Sequence, residues 1–155
     1  MTPTEQLKNV KAFVKRWNID YKEDGNTAPF WLSLLRDVFG VDHPEEYVQF
    51  EDTVKHEENG NSLYVDAWIP SARILIEQKA TNIALDKPYK RHNKTFKNVY
   101  EQAFEYDMTL PYSQRSRYII TCNFHEFWIY DMDMPEAIRK PIKLNLEDMP
   151  KHFHQ

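Results

Sequence analysis

The sequence predicts a mixed α/β (α+β) domain in which helices flank a central mixed sheet. Apolar residues recur at helical spacing in three segments, and short apolar runs typical of strands lie between and after them. The order along the chain is helix, helix, strands, helix, strands. With 155 residues, the chain fits a single domain, 1–155, with a core of its own.

The predicted helices carry recognisable start and stop signals. Residues 2–5 have the spacing of a capping box with proline at the first helical position, and an apolar stripe follows as far as Trp17. A second apolar helix is predicted from Phe30 to Phe39, where Gly40 stops it. A third is predicted from about Lys94 to Asp107. Each of these helices has one apolar face to pack on the sheet.

The strands are predicted from apolar runs bounded by turn residues. Leu63–Ile69 and Arg73–Lys79 flank Pro70-Ser71-Ala72 and read as the two arms of a hairpin. Two more strands are expected later in the chain, at 118–122 and 126–130. Residues 46–56 fit either a strand or a helical turn.

Three ionisable side chains on the hairpin form the best candidate site. If its loop has an even number of residues centred between Ser71 and Ala72, Asp66 lies directly opposite Glu77. Strand alternation then places Lys79 on the same face. An odd-numbered loop would move Asp66 to the other face unless a bulge restored it.

Two carboxylates this close repel each other, which raises one pKa unless a cation lies between them. A hard divalent ion such as Mg²⁺ is satisfied by two carboxylates and waters. Chance is the alternative, because the chain has 24 acidic residues and Asp20-Tyr21-Lys22 is a second acidic-x-Lys triplet. The apolar run Ile74–Ile76 leads directly into Glu77, whereas the second triplet has no such run before it.

A basic segment follows the candidate site. Its five cations are Lys87, Lys90, Arg91, Lys94 and Lys97. No acid interrupts them and aromatic rings are interleaved, a combination that suits a phosphate backbone. A solvated loop and helix face is the alternative interpretation.

Four further residues are secondary candidates. Gln102 and Tyr106 are four apart on the third predicted helix and share a face, although Tyr106 could be a core residue and Gln102 a surface one. Asp37 and Glu51 are acids that could complete a metal shell, and helix-surface or strand-edge positions explain them equally well.

Composition excludes several classes of protein. A single cysteine, Cys122, rules out an internal disulfide and fits a reducing compartment. No signal peptide or membrane span can be found, so a cytoplasmic location and no membrane partner are expected. Only three glycines are present, too few for a phosphate-binding loop or a dinucleotide fingerprint.

Asp66 followed by Glu77-Gln78-Lys79, after two apolar strands, resembles the signature of the PD-(D/E)xK nucleases, with Val65 in place of the usual proline. The likeness extends along nearly the whole chain to the N-terminal domain of MmeI-like restriction-modification enzymes. The residues that carry it are Trp17, Pro29-Phe30, Val38-Phe39-Gly40, Phe50-Glu51, Asp66, Leu75 to Lys79, Gln102-Ala103 and Tyr118 to Asp131.

The resemblance implies a restriction-endonuclease-like core and hydrolysis of double-stranded DNA with Mg²⁺, for which Mn²⁺ can substitute. Asp66, Glu77 and the Gln78 carbonyl would hold the metal. Lys79 would position the attacking water or help to deprotonate it. Gln102 and Tyr106 fit the Gln-x-x-x-Tyr pattern of RecB-like relatives, which makes them candidates for DNA contact. A non-catalytic DNA-binding or docking module of the same fold, in a protein that mainly methylates DNA, is the alternative.

The same resemblance implies that the chain is the N-terminal fragment of a longer polypeptide. The remaining domains would include an adenine-specific methyltransferase that uses S-adenosylmethionine. None of its residues can be assigned in this domain.

Overall fold

The computed structural model describes residues 1–22, 25–55, 62–90 and 96–153. The α-helices in these ranges are α1 (Pro3–Trp17), α2 (Thr27–Ser33), α3 (Val99–Asp107) and α4 (Met149–His152). The strands in the same ranges are β1 (Gln49–Lys55), β2 (Ser62–Ile69), β3 (Ile74–Gln78), β4 (Tyr89–Lys90), β5 (Phe96–Lys97), β6 (Tyr118–Cys122), β7 (Glu126–Asp131) and β8 (Ile142–Asn145). Within these ranges no helix is both long enough and apolar enough to cross a bilayer.

Six strands form one mixed sheet in the order β1-β2-β3-β6-β7-β8, and β4 pairs with β5 separately. Among the pairings of the described strands in this sheet, only that of β3 with β6 is parallel. The predicted mixed sheet with helices is therefore confirmed. Within residues 46–56, Gln49–Lys55 form the strand β1, which pairs with β2, whereas Glu46 ends a 3₁₀ turn and His56 lies outside the described residues.

The first helix begins where the sequence predicts, whereas the second begins at Thr27, before the predicted start at Phe30. In α1 the capping box forms, because the Thr2 hydroxyl accepts from the Glu5 amide and the Glu5 carboxylate accepts from the Thr2 amide. The second predicted helix divides into α2 and a π-helical turn, Leu34–Val38, before Gly40 adopts a φ of 69°.

The third predicted helix begins later than expected. Asn98 caps α3: its side chain accepts from the Glu101 amide, and the Glu101 carboxylate accepts from the Asn98 amide. The preceding residues, Phe96–Lys97, pair with Tyr89–Lys90 instead of continuing the helix. The prediction of helix from Lys94 was therefore wrong, because tertiary pairing and a cap set the boundary.

The hairpin that carries the candidate site has an even-numbered loop, as the register argument requires. Ile69 pairs with Ile74, which leaves four loop residues, 70–73. A 3₁₀ turn at Pro70–Ala72 is followed by Arg73 in the left-handed region at φ 52°. The expected pairing register is confirmed.

The sheet has an apolar core on each face. On one face α1 and α2 contribute Trp17, Phe30 and Trp31, which pack with Ile76 and Cys122. Burial raises the pKa of the Cys122 thiol to about 12, in keeping with a small core residue.

On the other face, Ala103 and Tyr106 of α3 pack with Leu75 and Ile119. Alternation along β3 sends Leu75 and Glu77 to the α3 side, and Ile76 and Gln78 to the α2 side.

Candidate active site

The candidate site lies where β2 and β3 separate. Their pairing runs from Ile69–Ile74 to Ala67–Ile76, and one further step brings Asp66 opposite Glu77. Here Asp66 Oδ2 accepts a 2.7 Å hydrogen bond from the Gln78 amide. A side chain thus takes the place of a backbone acceptor at the end of this ladder.

Lys79 lies beside Glu77, as alternation predicts. Its Nζ atom is 3.2 Å from Glu77 Oε1, and the two side chains are only 11% and 2% exposed. The Lys79 amide donates to the Cys122 carbonyl at 2.8 Å, which extends the β3–β6 pairing beyond the end of β3. The structure therefore brings Asp66, Glu77 and Lys79 together.

The Glu77 carboxyl has an unusual environment for an acid. Complete burial raises its pKa well above the ordinary value of 4.5, and the charge of Asp66 raises it further. A hydrogen bond between the two carboxyl groups acts in the same direction, while Lys79 lowers the pKa. Burial and the neighbouring carboxylate therefore shift the Glu77 equilibrium toward its protonated form.

Unpartnered buried oxygens occur on this face of the sheet and on α3. Glu77 Oε2, Gln102 Oε1 and Thr121 Oγ1 are buried and have no hydrogen-bond partner among the residues that the structure describes. Buried polar atoms are costly unless something satisfies them. A divalent cation at Asp66 and Glu77 would satisfy the free Glu77 oxygen and remove the repulsion between the carboxylates, so these residues fit an oxygen-binding metal.

The backbone of Gln78 is oriented consistently with a third metal ligand. The N–H and C=O groups of a strand residue point to the same side of the strand, and the Gln78 N–H points at Asp66. The Gln78 carbonyl is therefore directed to the Asp66 side. In the described part of the chain, no three His, Cys, Asp or Glu side chains are grouped to hold a metal ion, so within that part any ligand beyond the two acids would be a carbonyl or water.

Thr121 belongs to this face but was missed from the sequence. It pairs directly with Glu77 across β3 and β6, so both side chains point toward α3. The available signal was a hydroxyl within an apolar predicted strand. The hydroxyl can be assigned to the site only when β6 is known to be the neighbour of β3, and no local sequence pattern predicts that strand order.

The two candidate residues on α3, Gln102 and Tyr106, differ in burial. Gln102 is half-buried, with the unpartnered Oε1 described above. Tyr106 is fully buried in the core beneath α3. Core packing accounts for Tyr106, and contact of either residue with DNA stays a prediction.

The structure does not bring Asp37 to the site. Asp37 pairs with the adjacent Arg36 at 3.0 Å. It lines a cavity of about 140 Å³, together with Phe13 and Trp17 of α1, on the α2 side of the sheet. Glu51 lies within β1, next to β2, and its side chain is outside the described residues.

The basic segment is only partly described. Lys87 is exposed, and Lys90 and Lys97 lie in the small β4–β5 hairpin, with their side chains outside the described residues. Arg91 and Lys94 also lie outside the described residues. The segment leads from the site to α3, and its contact with DNA stays a prediction.

Comparison with known families identifies the chain. A family model described as "MmeI, N-terminal domain" matches residues 6–155. The chain belongs to this family. Searches of curated proteins and of solved structures found no significant match. Membership in this family confirms the resemblance to the N-terminal domain of MmeI-like enzymes and associates the domain with a restriction-modification enzyme.

Proposed function

We propose that this MmeI-type domain is a metal-dependent endonuclease that hydrolyses phosphodiester bonds of double-stranded DNA. The observation that carries the proposal is the buried Glu77 carboxyl. It lies opposite Asp66 and 3.2 Å from Lys79, and one of its oxygens has no partner within the described residues. A buried, charge-perturbed cluster of this kind is costly to maintain and typical of functional sites.

In this proposal Asp66, Glu77 and the Gln78 carbonyl hold Mg²⁺, and Mn²⁺ can substitute. When bound, the ion acts as a Lewis acid on the phosphate and as a template for the attacking water. The Gln78 amide holds one oxygen of Asp66 and thereby orients its carboxylate. Lys79 keeps Glu77 closer to its charged, ligating form, because its ammonium lowers the pKa of that carboxyl.

Lys79 also has a direct role in the proposed reaction. Its ammonium can orient the attacking water and offset the negative charge that develops on the phosphoryl oxygens. Water adds to phosphorus and gives up a proton, the bond to one ester oxygen breaks, and that oxygen takes up a proton. The low exposure of Lys79 strengthens its electrostatic effect on the reacting phosphate.

Membership in the family supports a proposal for the rest of the polypeptide. The basic segment that begins at Lys87 would contact the DNA backbone, and recognition of sequence would lie in other domains. The rest of the polypeptide would carry an adenine-specific methyltransferase that binds S-adenosylmethionine. The isolated domain would bind neither that cofactor nor a membrane.

Metal titration tests the proposal directly. We expect the protein to bind Mn²⁺ or Mg²⁺ in calorimetry, and Asp66→Asn to lose at least about tenfold in affinity, because it removes a charged ligand. Asp37→Asn is the matched control and should bind as the wild type does, since Asp37 pairs with Arg36 away from the site. Metal binding that is absent, or unchanged in Asp66→Asn, would favour a non-catalytic module.

A further inference from the structure

Gln78, the middle residue of the Glu77-Gln78-Lys79 segment, is fully buried, and its side chain points away from the proposed metal. Alternation directs it to the α2 side of the sheet. There Gln78 Oε1 accepts a 2.8 Å hydrogen bond from the indole Nε1 of Trp31. The two residues are 47 positions apart in sequence, so the bond joins α2 to the strand that carries the site.

The other half of the same amide acts on the neighbouring residue. Gln78 Nε2 donates to the Lys79 carbonyl at 3.1 Å. The Lys79 amide is held in turn by the Cys122 carbonyl at 2.8 Å. Trp31 therefore sets the orientation of an amide that fixes the Lys79 backbone, while the Gln78 N–H orients Asp66 from the opposite side of the same residue.

We propose that Trp31 is a positioning residue for the site: through the Gln78 amide it fixes the backbone that presents the Gln78 carbonyl and Lys79. This inference rests on the proposed function, because it assigns the consequence to metal binding and cleavage. Partners that orient metal ligands commonly affect affinity or activity by about tenfold to a hundredfold.

The chain offers a matched control for Trp31. Trp17 is buried in the same apolar cluster, at 2% exposure against 4% for Trp31. Its Nε1 has no hydrogen-bond partner in the described part of the chain. Trp31→Phe and Trp17→Phe remove similar volume from one core, but only Trp31→Phe breaks a link to the site.

We would measure Mn²⁺ affinity, thermal stability, and kcat and KM for DNA in the full-length polypeptide. Both variants should lose stability, and only Trp31→Phe should lose about tenfold in Mn²⁺ affinity and kcat with little change in KM. Gln78→Met removes the acceptor with an unbranched apolar side chain. If the amide transmits the effect, Trp31→Phe has no further effect on kcat in the Gln78→Met background.

Equal behaviour of Trp31→Phe and Trp17→Phe in affinity and kcat would overturn the inference. A wild-type protein that neither binds Mn²⁺ nor cuts DNA would overturn the proposed function instead. Hydrogen exchange then tests the link alone: Trp31→Phe should accelerate exchange of the Lys79 amide, just after β3, relative to exchange of the Leu75 amide within β3. If Trp17→Phe changes the ratio of the two exchange rates as much as Trp31→Phe does, the link from Trp31 to the Lys79 backbone is refuted.

Discussion

Replacement of Lys79 by Met should reduce DNA cleavage by at least about 100-fold while the domain stays folded. The methionine keeps an apolar stem in a site that is 9% exposed and removes only the ammonium. Without that charge, the metal ion alone would offset the negative charge that develops on the phosphoryl oxygens. Single-turnover cleavage with saturating Mg²⁺ measures the loss in the chemical step, separately from metal or DNA affinity.

The fold should tolerate Lys79→Met because Glu77 can compensate by binding a proton. Lys79 lowers the pKa of Glu77, so its removal raises that pKa further and the carboxyl need not stay charged. We expect the unfolding midpoint to shift by less than about 4 °C. Lys11→Met, on the exposed face of α1, is the control and should cleave normally. A Lys79→Met protein that cuts DNA at the wild-type rate would disprove the role of Lys79.

The parts of this fold that the sequence predicts correctly are those determined by local chemistry. The capping box at residues 2–5 involves side chains and amides three positions apart, so it can be read directly. The site hairpin depends on a four-residue loop, and its register follows from counting back to Asp66 and Glu77. Both require no knowledge of the rest of the chain.

The parts that were missed depend on distant contacts or weak patterns. The edge strand β8 has only four residues, and most of them are exposed, so it shows no apolar face. Thr121 and Trp31 carry no local sign of their positions. Thr121 lies beside Glu77 because β3 and β6 pair in parallel. Trp31 contacts Gln78 although the two residues are 47 positions apart in sequence. Strand order and helix packing, not periodicity, decide such contacts.

Glu77→Gln should abolish metal-dependent cleavage and yet stabilise the metal-free protein as the pH rises above about 5. Glu77 has a folded-state pKa well above its ordinary value of 4.5, mainly because it is buried. Between those two pKa values the folded protein holds a proton that the unfolded chain has released. Rising pH therefore favours unfolding of the wild type, and the contribution of Glu77 to stability is complete only below the unfolded-state pKa.

The glutamine variant resembles the protonated acid in shape and cannot titrate, so this source of pH dependence disappears. In EDTA, denaturant unfolding should show that the free energy of unfolding of Glu77→Gln increases relative to that of the wild type as the pH rises. The gain should be about 1.4 kcal/mol per pH unit until the folded-state pKa of Glu77 is reached. Glu136→Gln, at an exposed position, is the control and should follow the wild-type curve.

Adding Mn²⁺ should make the wild type more stable than Glu77→Gln, the reverse of the order in EDTA. The ion binds the folded wild type through Asp66 and Glu77, which stabilises it in proportion to RT ln(1 + [L]/Kd), whereas the glutamine variant lacks the charged ligand. Parallel curves for wild type and Glu77→Gln in EDTA would mean that Glu77 is already charged without metal. The reversal would mean instead that this domain carries a costly buried acid because the acid binds a metal ion.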